Sequence, residues 1–262
     1  MLYAKKSLGQ HFLKDENIAK KIIDEFFAPG NVHAVLEIGP GRGVLTKYLL
    51  MQQGIDYTGV ELDERMIPLL LKEFPKLDGH LFNEDILEYD LYRSGKKEWS
   101  IIGNFPYNIS SQILFKVLEN KEKIHCLVGM FQKEVARRIA AFSGNKEYGI
   151  LSVLIQAFYS VEYLFDVEAH CFTPPPKVTS GVIRLIRKSK VPFLLDAGHF
   201  KQLVKTGFGQ RRKTLRNSLH QHIMHVQFAG DSVFNKRAEQ LTVEEWIALS
   251  NRIISEEANV SG

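Results

Sequence analysis

The run Glu37-Ile38-Gly39-Pro40-Gly41-Arg42-Gly43 constrains this chain more than any other feature, because it joins an apolar stretch to an amphipathic one. Val32–Ile38 reads as a buried strand, and the glycines after it allow a tight turn where a Cβ would collide. The alternation then repeats. Val44–Gln53 reads as a helix, Tyr57–Leu62 as a strand, and Glu64–Phe74 as a helix in which Pro68 marks a kink or a late start. Gly79–Asp85 and Trp99–Asn104 read as strands, Ser111–Asn120 as a helix, His125–Phe131 as a strand and Lys133–Ala141 as a charged helix. Ahead of them, Asn17–Phe27 sets Ile18, Ile22, Ile23, Phe26 and Phe27 on one helical face. Strands and helices in this order predict an α/β chain with a parallel, doubly wound sheet and right-handed crossovers.

An apolar helix after Gly149 and two strand-like runs, Val161–Val167 and Ser180–Ile186, read as a hairpin-like addition, linked through Thr173-Pro174-Pro175-Pro176-Lys177. The alternation stops near Arg187. Ser189–Gly198 reads as a linker, and beyond it only helical periodicity is left. Phe200, Leu203, Val204 and Phe208 form one face, and Leu215 and Leu219 another. Thr242-Val243-Glu244-Glu245 fits a capping box opening a last helix with Trp246, Leu249, Ile253 and Ile254. The expected organisation is an α/β domain over 1–187 and a small all-helical domain over 188–262.

Charge follows the same division. Between Arg184 and Arg237 twelve Lys and Arg face two acids, Asp196 and Asp231, so that segment is +10 in a chain of net +4. An excess of this kind fits a polyanionic partner through counterion release, and equally a solvated helical surface. Cys126 and Cys171 suit neither a disulfide framework nor a zinc pattern. No signal-peptide core or bilayer-length apolar run is present, so a soluble, cytoplasmic protein with reduced thiols is expected. His220, His222 and His225 lie close together, but no carboxylate joins them at ligand spacing, and no metal is expected.

Ligands of open parallel sheets bind beyond the carboxyl ends of the strands. The glycine turn ends the first strand there, but position 44 is Val44, which breaks the dinucleotide fingerprint. Glu61 ends the second strand, where a carboxylate can accept both hydroxyls of a ribose. Asp85 ends the third, within reach of an adenine amine. Each acid alone equally fits stabilisation of a following helix N-terminus. Together with the glycine turn they describe an adenosine-shaped site without a pyrophosphate cradle, which fits S-adenosylmethionine.

The fourth strand ends in Asn104-Phe105-Pro106-Tyr107. The N6 lone pair of adenine is delocalised into its ring and is a poor nucleophile. Accepting its two N–H hydrogens with the Asn104 side-chain oxygen and the Phe105 carbonyl would localise that pair. Pro106 biases Phe105 toward an extended backbone and keeps its carbonyl outward. Tyr107 can stack on a base taken out of its own stack. No strong general base is needed, since the proton is acidic once the nitrogen is methylated.

With these residues in place, the chain resembles the small-subunit ribosomal RNA adenine dimethyltransferases, the family whose loss confers kasugamycin resistance. The likeness runs through Lys6–Leu13, Glu37–Gly43, Gly59–Asp63, Asp85, Gly103–Ser110, Phe172–Lys177 with Ser180-Gly181, and Phe208–Lys213. It implies a Rossmann-like methyltransferase domain plus a small helical domain. It further implies dimethylation of two neighbouring adenosines in the 3′-terminal hairpin loop of small-subunit rRNA and a role in small-subunit biogenesis; the oligomeric state stays open, with a monomer as the default. By the resemblance, His11, Leu13, Gly39, Glu61, Asp85 and Asn104 contact S-adenosylmethionine. Asn104 and Tyr107 handle the adenine, with Phe105, Pro106 and a second stacking face at Phe172. Position 105 is Phe where the family usually has Leu, and position 11 is His where Asn is also common. Arg211, Arg212 and Lys213, with Arg216, are the candidates for RNA contact beside Phe208. Arg137 and Arg138 read as ordinary helix-surface charges. Two rivals stay open: a large-subunit adenine methyltransferase of the erythromycin-resistance type, and a non-catalytic assembly factor.

Overall fold

The computed structural model describes residues 3–190, 193–224 and 226–260. In chain order its elements begin with β1 (Phe12–Leu13), α1 (Glu16–Phe27), β2 (Ala34–Ile38), α2 (Thr46–Leu49), β3 (Asp56–Val60), α3 (Ile67–Glu73) and β4 (Leu81–Phe82). They continue with β5 (Trp99–Asn104), α4 (Ser110–Glu119), β6 (Ile124–Gln132), α5 (Lys133–Ala140), α6 (Ile150–Phe158), β7 (Tyr159–Val167), β8 (Phe172–Thr173) and β9 (Ser180–Arg187). Last come α7 (Ala197–Gly209), α8 (Leu215–Ser218), α9 (His220–Ile223) and α10 (Val243–Val260).

Local chemistry accounts for the main elements. Asp15 caps α1, its side chain accepting from the amides of Asn17 and Ile18, and the helix buries Ala19, Ile22, Ile23 and Phe26. Helix α3 starts late, with Pro68 in its first turn, where a missing N–H costs nothing. The segments expected as a helix over 44–53 and a strand over 79–85 are shorter: α2 holds four residues and β4 two.

The chain forms two compact units, Met1–Ala136 with Val161–Arg187, and Arg137–Ser160 with Lys188–Gly262. The first contains a seven-stranded sheet in the order β4-β3-β2-β5-β6-β9-β7. From β4 to β6 every pairing is parallel, and β9 runs antiparallel to β6. Strand order reverses between β2 and β5, so the carboxyl ends of β2, β3 and β5 open a crevice there. A separate ladder pairs β1 with β8, Phe12 opposite Thr173 and Leu13 opposite Phe172.

In the second unit α6 packs on α7 and α10. Residues 137–160 therefore belong with the helices, whereas the sequence reading assigned them to the α/β domain. The physical reason is that α6 is buried almost all round, and an apolar helix of that kind marks no partner by its pattern. The expected capping box does open α10. The Glu245 amide donates to Thr242 Oγ1 at 3.2 Å, and the Thr242 amide to Glu245 Oε2 at 2.9 Å. Among the described residues no helix is long and apolar enough to cross a membrane.

Candidate active site

A cleft of about 1040 Å³, open to solvent at its mouth, lies at the β2/β5 reversal. All six residues expected to hold a cofactor line it: His11, Leu13, Gly39, Glu61, Asp85 and Asn104. The glycine turn needs its glycines, since Gly39, Gly41 and Gly43 have φ of 66°, 57° and 78°. A Cβ at Gly39 would meet nothing within 4 Å of the protein, so the space beside that backbone is free for a ligand.

Glu61 is 5% exposed and holds the turn together. Its Oε2 accepts from the Gly41 amide at 2.9 Å and its Oε1 from the Asp63 amide at 2.8 Å. A carboxylate offers about four lone-pair sites, so acceptor capacity remains toward the cleft beside the backbone amides of Gly41, Asp63 and Leu62. Burial raises its pKa above the ordinary carboxylate value. Asp85 also lines the cleft, and its Oδ1 accepts from the Leu87 amide at 2.9 Å, fixing the turn after β4.

Two acids here carry more than the sequence reading gave them. Asp63 is buried under the N-terminal segment, where Gln10 Nε2 donates to its Oδ2 at 2.9 Å and Arg65 Nε to its Oδ1 at 2.8 Å. The Arg65 guanidinium holds its carboxyl well below the usual range. Thus residues 8–13, which roof the cleft, are tied to the same loop as Glu61. Glu37 lines the cleft floor, 1% exposed, and its Oε2 accepts from the hydroxyls of Thr46 and Tyr57, both at 2.7 Å. An acid inside an otherwise apolar strand was the visible signal for it.

Burial pushes the Glu37 pKa up to about 7. A carboxyl whose folded pKa is raised contributes stability below its ordinary pKa, and that contribution is lost as pH rises toward the folded value. Glu37→Gln keeps the acceptor for Thr46 and Tyr57 and removes the buried charge. It should therefore raise the thermal midpoint at pH 8, by on the order of 3 kcal/mol of stability, and change little near pH 4.5. An equal gain at both pH values in thermal unfolding would show that charge is not the cause.

At the end of β5, Asn104 Nδ2 donates to the His11 carbonyl at 2.7 Å. A carbonyl can only accept, so this partner fixes the amide and turns Oδ1 away, as a free acceptor. The carbonyls of Pro106 and Tyr107 both accept from the Ser110 hydroxyl at 3.1 Å. The Phe105 carbonyl accepts from no group among the described residues. Two acceptors thus remain at the cleft, on neighbouring residues. Tyr107 is half-buried, bonded through its hydroxyl to Ser180 Oγ at 2.6 Å, and burial raises its pKa. Its ring stacks on His11 with centroids 5.6 Å apart. His11 Nδ1 donates to the Pro174 carbonyl at 2.8 Å, so the ring is itself held.

Phe105 anchors the turn from below. Its ring is 1% exposed and fills the space left by two glycines: a Cβ at Gly129 would lie 2.1 Å from its Cε2, and one at Gly103 2.6 Å from its Cε1. The larger ring at position 105 is therefore matched by absent side chains on β5 and β6. Gly129→Ala should destabilise the protein by about 1–3 kcal/mol through overpacking and displace the turn. Thermal unfolding together with methyl transfer reads this, and wild-type values in both would refute the fit.

Phe172 differs from the expectation of an open stacking face. It is 1% exposed, a residue of the β1–β8 ladder whose side chain joins Phe12 and Leu13 in the core, and does not line the cleft. The basic candidates lie in the second unit. Arg211 is engaged, its Nε 3.4 Å from Glu239 Oε2, whereas Arg212 and Lys213 are exposed. Arg216 is also engaged, its Nη1 donating to the Ala229 carbonyl at 2.6 Å. His225 lies outside the described residues. Among those described, no three His, Cys, Asp or Glu side chains converge as metal ligands.

A cleft with an acid at the end of its second strand, Val44 where a dinucleotide fingerprint needs glycine, and paired acceptors at its mouth belongs to the Rossmann-like methyltransferases that use S-adenosylmethionine. Two solved structures share the fold. A dimethyladenosine transferase from Plasmodium falciparum is 25% identical, with a TM-score of 0.76 covering 96% of this chain and 98% of that one. The 23S rRNA methyltransferase ErmE is 26% identical, with a TM-score of 0.64 covering 93% and 99%. Within that class the chain belongs to the ribosomal RNA adenine dimethylase family, whose model matches residues 1–255. The ribosomal RNA small subunit methyltransferase A of Cytophaga hutchinsonii is 52% identical over 250 residues, 95% of this chain and 97% of that protein. Its counterpart in Flavobacterium johnsoniae is 51% identical over 251 residues, 95% of each.

Proposed function

We propose that this protein transfers methyl groups from S-adenosylmethionine to the N6 amines of two adjacent adenosines in the 3′-terminal hairpin loop of small-subunit rRNA. It acts as a cytoplasmic monomer on the rRNA or a small-subunit precursor, with a role in small-subunit biogenesis. The observation that carries the reading is the Asn104 amide, fixed by the His11 carbonyl so that its oxygen faces the cleft.

The residues fit the donor. Open space beside Gly39, the spare acceptor capacity of Glu61 and the Asp85 carboxylate suit the methionine, ribose and adenine of S-adenosylmethionine respectively. When bound, its sulfonium supplies an electrophilic methyl group. Asn104 Oδ1 and the Phe105 carbonyl accept the two N–H hydrogens of the substrate adenine, which localises the nitrogen lone pair toward that methyl. Tyr107 stacks on the extruded base and, with Asn104, sets the line of attack. The same two oxygens stabilise the positive charge that develops on nitrogen, and the proton then passes to solvent. The helical unit supplies phosphate contacts through Arg212 and Lys213.

Likeness to a 23S rRNA methyltransferase keeps the large subunit as the alternative substrate. Labelled S-adenosylmethionine, offered with unmodified small subunits, large subunits and DNA, separates the readings. Label is expected in two adjacent adenosines of small-subunit rRNA. Label confined to large subunits or DNA, or none anywhere, overturns the proposal.

A further inference from the structure

Resting on the RNA substrate proposed above, we infer that Phe142 is a base-stacking residue. It marks an RNA-binding surface formed by residues 137–149 of the second unit together with Arg212 and Lys213. Phe142 is 75% exposed, in the loop that joins α5 to α6. A phenylalanine on a mobile loop would fold its ring away from water. This one is held out.

Its backbone is fixed on both sides. Gln156 Nε2 donates to the carbonyls of Ile139 and Ala141, each at 2.8 Å. The Asn145 amide donates to the Phe142 carbonyl at 3.2 Å, closing a tight turn in which Gly144 has φ +85°. The Gly144 amide donates to the Glu239 carbonyl at 2.7 Å, and Arg211 Nη2 to the Asn145 carbonyl at 3.5 Å. The Arg211 guanidinium, paired with Glu239, is therefore a strut for this loop. The first residue of the basic run positions an aromatic ring, and the next two stay exposed.

The surroundings select the occupant. Arg137, Arg138 and Lys146 are exposed on the same segment, and the second unit carries fourteen Lys and Arg against eight Asp and Glu, net +6. No other large apolar side chain between 137 and 160 is exposed. A protein–protein core needs several such groups together, largely free of charge. One rigid aromatic among cations instead matches an unpaired base with phosphates on either side, since stacking tolerates any base and the cations follow the backbone.

The test is binding of protein-free small-subunit rRNA by the full chain, without methyl donor. Phe142→Ala should weaken affinity on the order of tenfold, and Phe142→Tyr or Phe142→Trp should keep it. The slope of log affinity against log salt should not change in Phe142→Ala, because a neutral ring releases no counterions. Charge reversal at Arg212 and Lys213 should make that slope shallower. The thermal midpoint of Phe142→Ala should equal that of wild type. Undiminished RNA affinity of Phe142→Ala overturns the inference, as does a loss seen only with protein-containing subunits, which would mean that the ring docks on protein. Wild-type enzyme that labels small-subunit rRNA while Phe142→Ala binds it fully would sink the stacking role and leave the proposed function standing.

Discussion

Asn104→Ala is expected to abolish methyl transfer, with a fall in kcat of about a thousandfold or more, while RNA affinity is retained. The size follows from what the residue does. In the proposed reaction it is one of two acceptors at the cleft, among the described residues, that localise the adenine lone pair, and it carries part of the charge that develops on nitrogen. Both interactions form on binding but strengthen as positive charge develops on nitrogen, so most of the loss belongs in kcat. Asn104→Asp sharpens the test. A carboxylate is the stronger acceptor, and if acceptance alone mattered it would restore activity. However, the Asn104 amide must also donate to the His11 carbonyl at 2.7 Å. A carboxylate there sets oxygen against oxygen and pushes the roof segment away. Both variants should therefore be inactive in single-turnover labelling while filter binding of rRNA persists. Substantial turnover by Asn104→Asp would show that the link to His11 does not position the acceptor, and turnover by Asn104→Ala would remove the mechanism altogether.

The strand ends were legible because each carries a residue that strands otherwise avoid. Glu61 and Asn104 are polar groups at the ends of apolar runs, Asp85 lies three residues past the apolar pair Leu81-Phe82, and the structure gathers all three in one cleft. The start of α10 was legible for a similar local reason, since a Thr and a Glu three residues on can satisfy each other's amides. What escaped was non-local. The β1–β8 ladder has two residues per strand, too few to show a period, and Phe172 is one of them, its side chain in the core. The partners of α6 escaped because a helix apolar on every side favours no direction. Arg211 looked like a ligand for RNA and is a strut, since only tertiary structure brings Glu239 and Asn145 beside it.

Glu61→Gln is expected to raise KM for S-adenosylmethionine roughly a hundredfold, because two charge-assisted bonds of about 1.5–3 kcal/mol each would be weakened or lost. The substitution is nearly isosteric, yet it is not mild. Both carboxylate oxygens already accept from backbone amides, Gly41 on one side and Asp63 on the other. A glutamine must turn its own NH2 toward one of these donors, so the glycine turn or the loop that anchors the roof segment shifts. Wild type should also show a pH dependence that the variant lacks. Burial raises the Glu61 pKa, and only the ionised form can accept from both amides and both ribose hydroxyls. Cofactor affinity should thus be full above that raised pKa and fall as pH drops through it. Calorimetric titration of the donor product, S-adenosylhomocysteine, against pH reads both effects. In Glu61→Gln the affinity should be low and flat. A wild-type profile that is flat, or a variant that keeps the wild-type slope, would mean that another group reads the ribose.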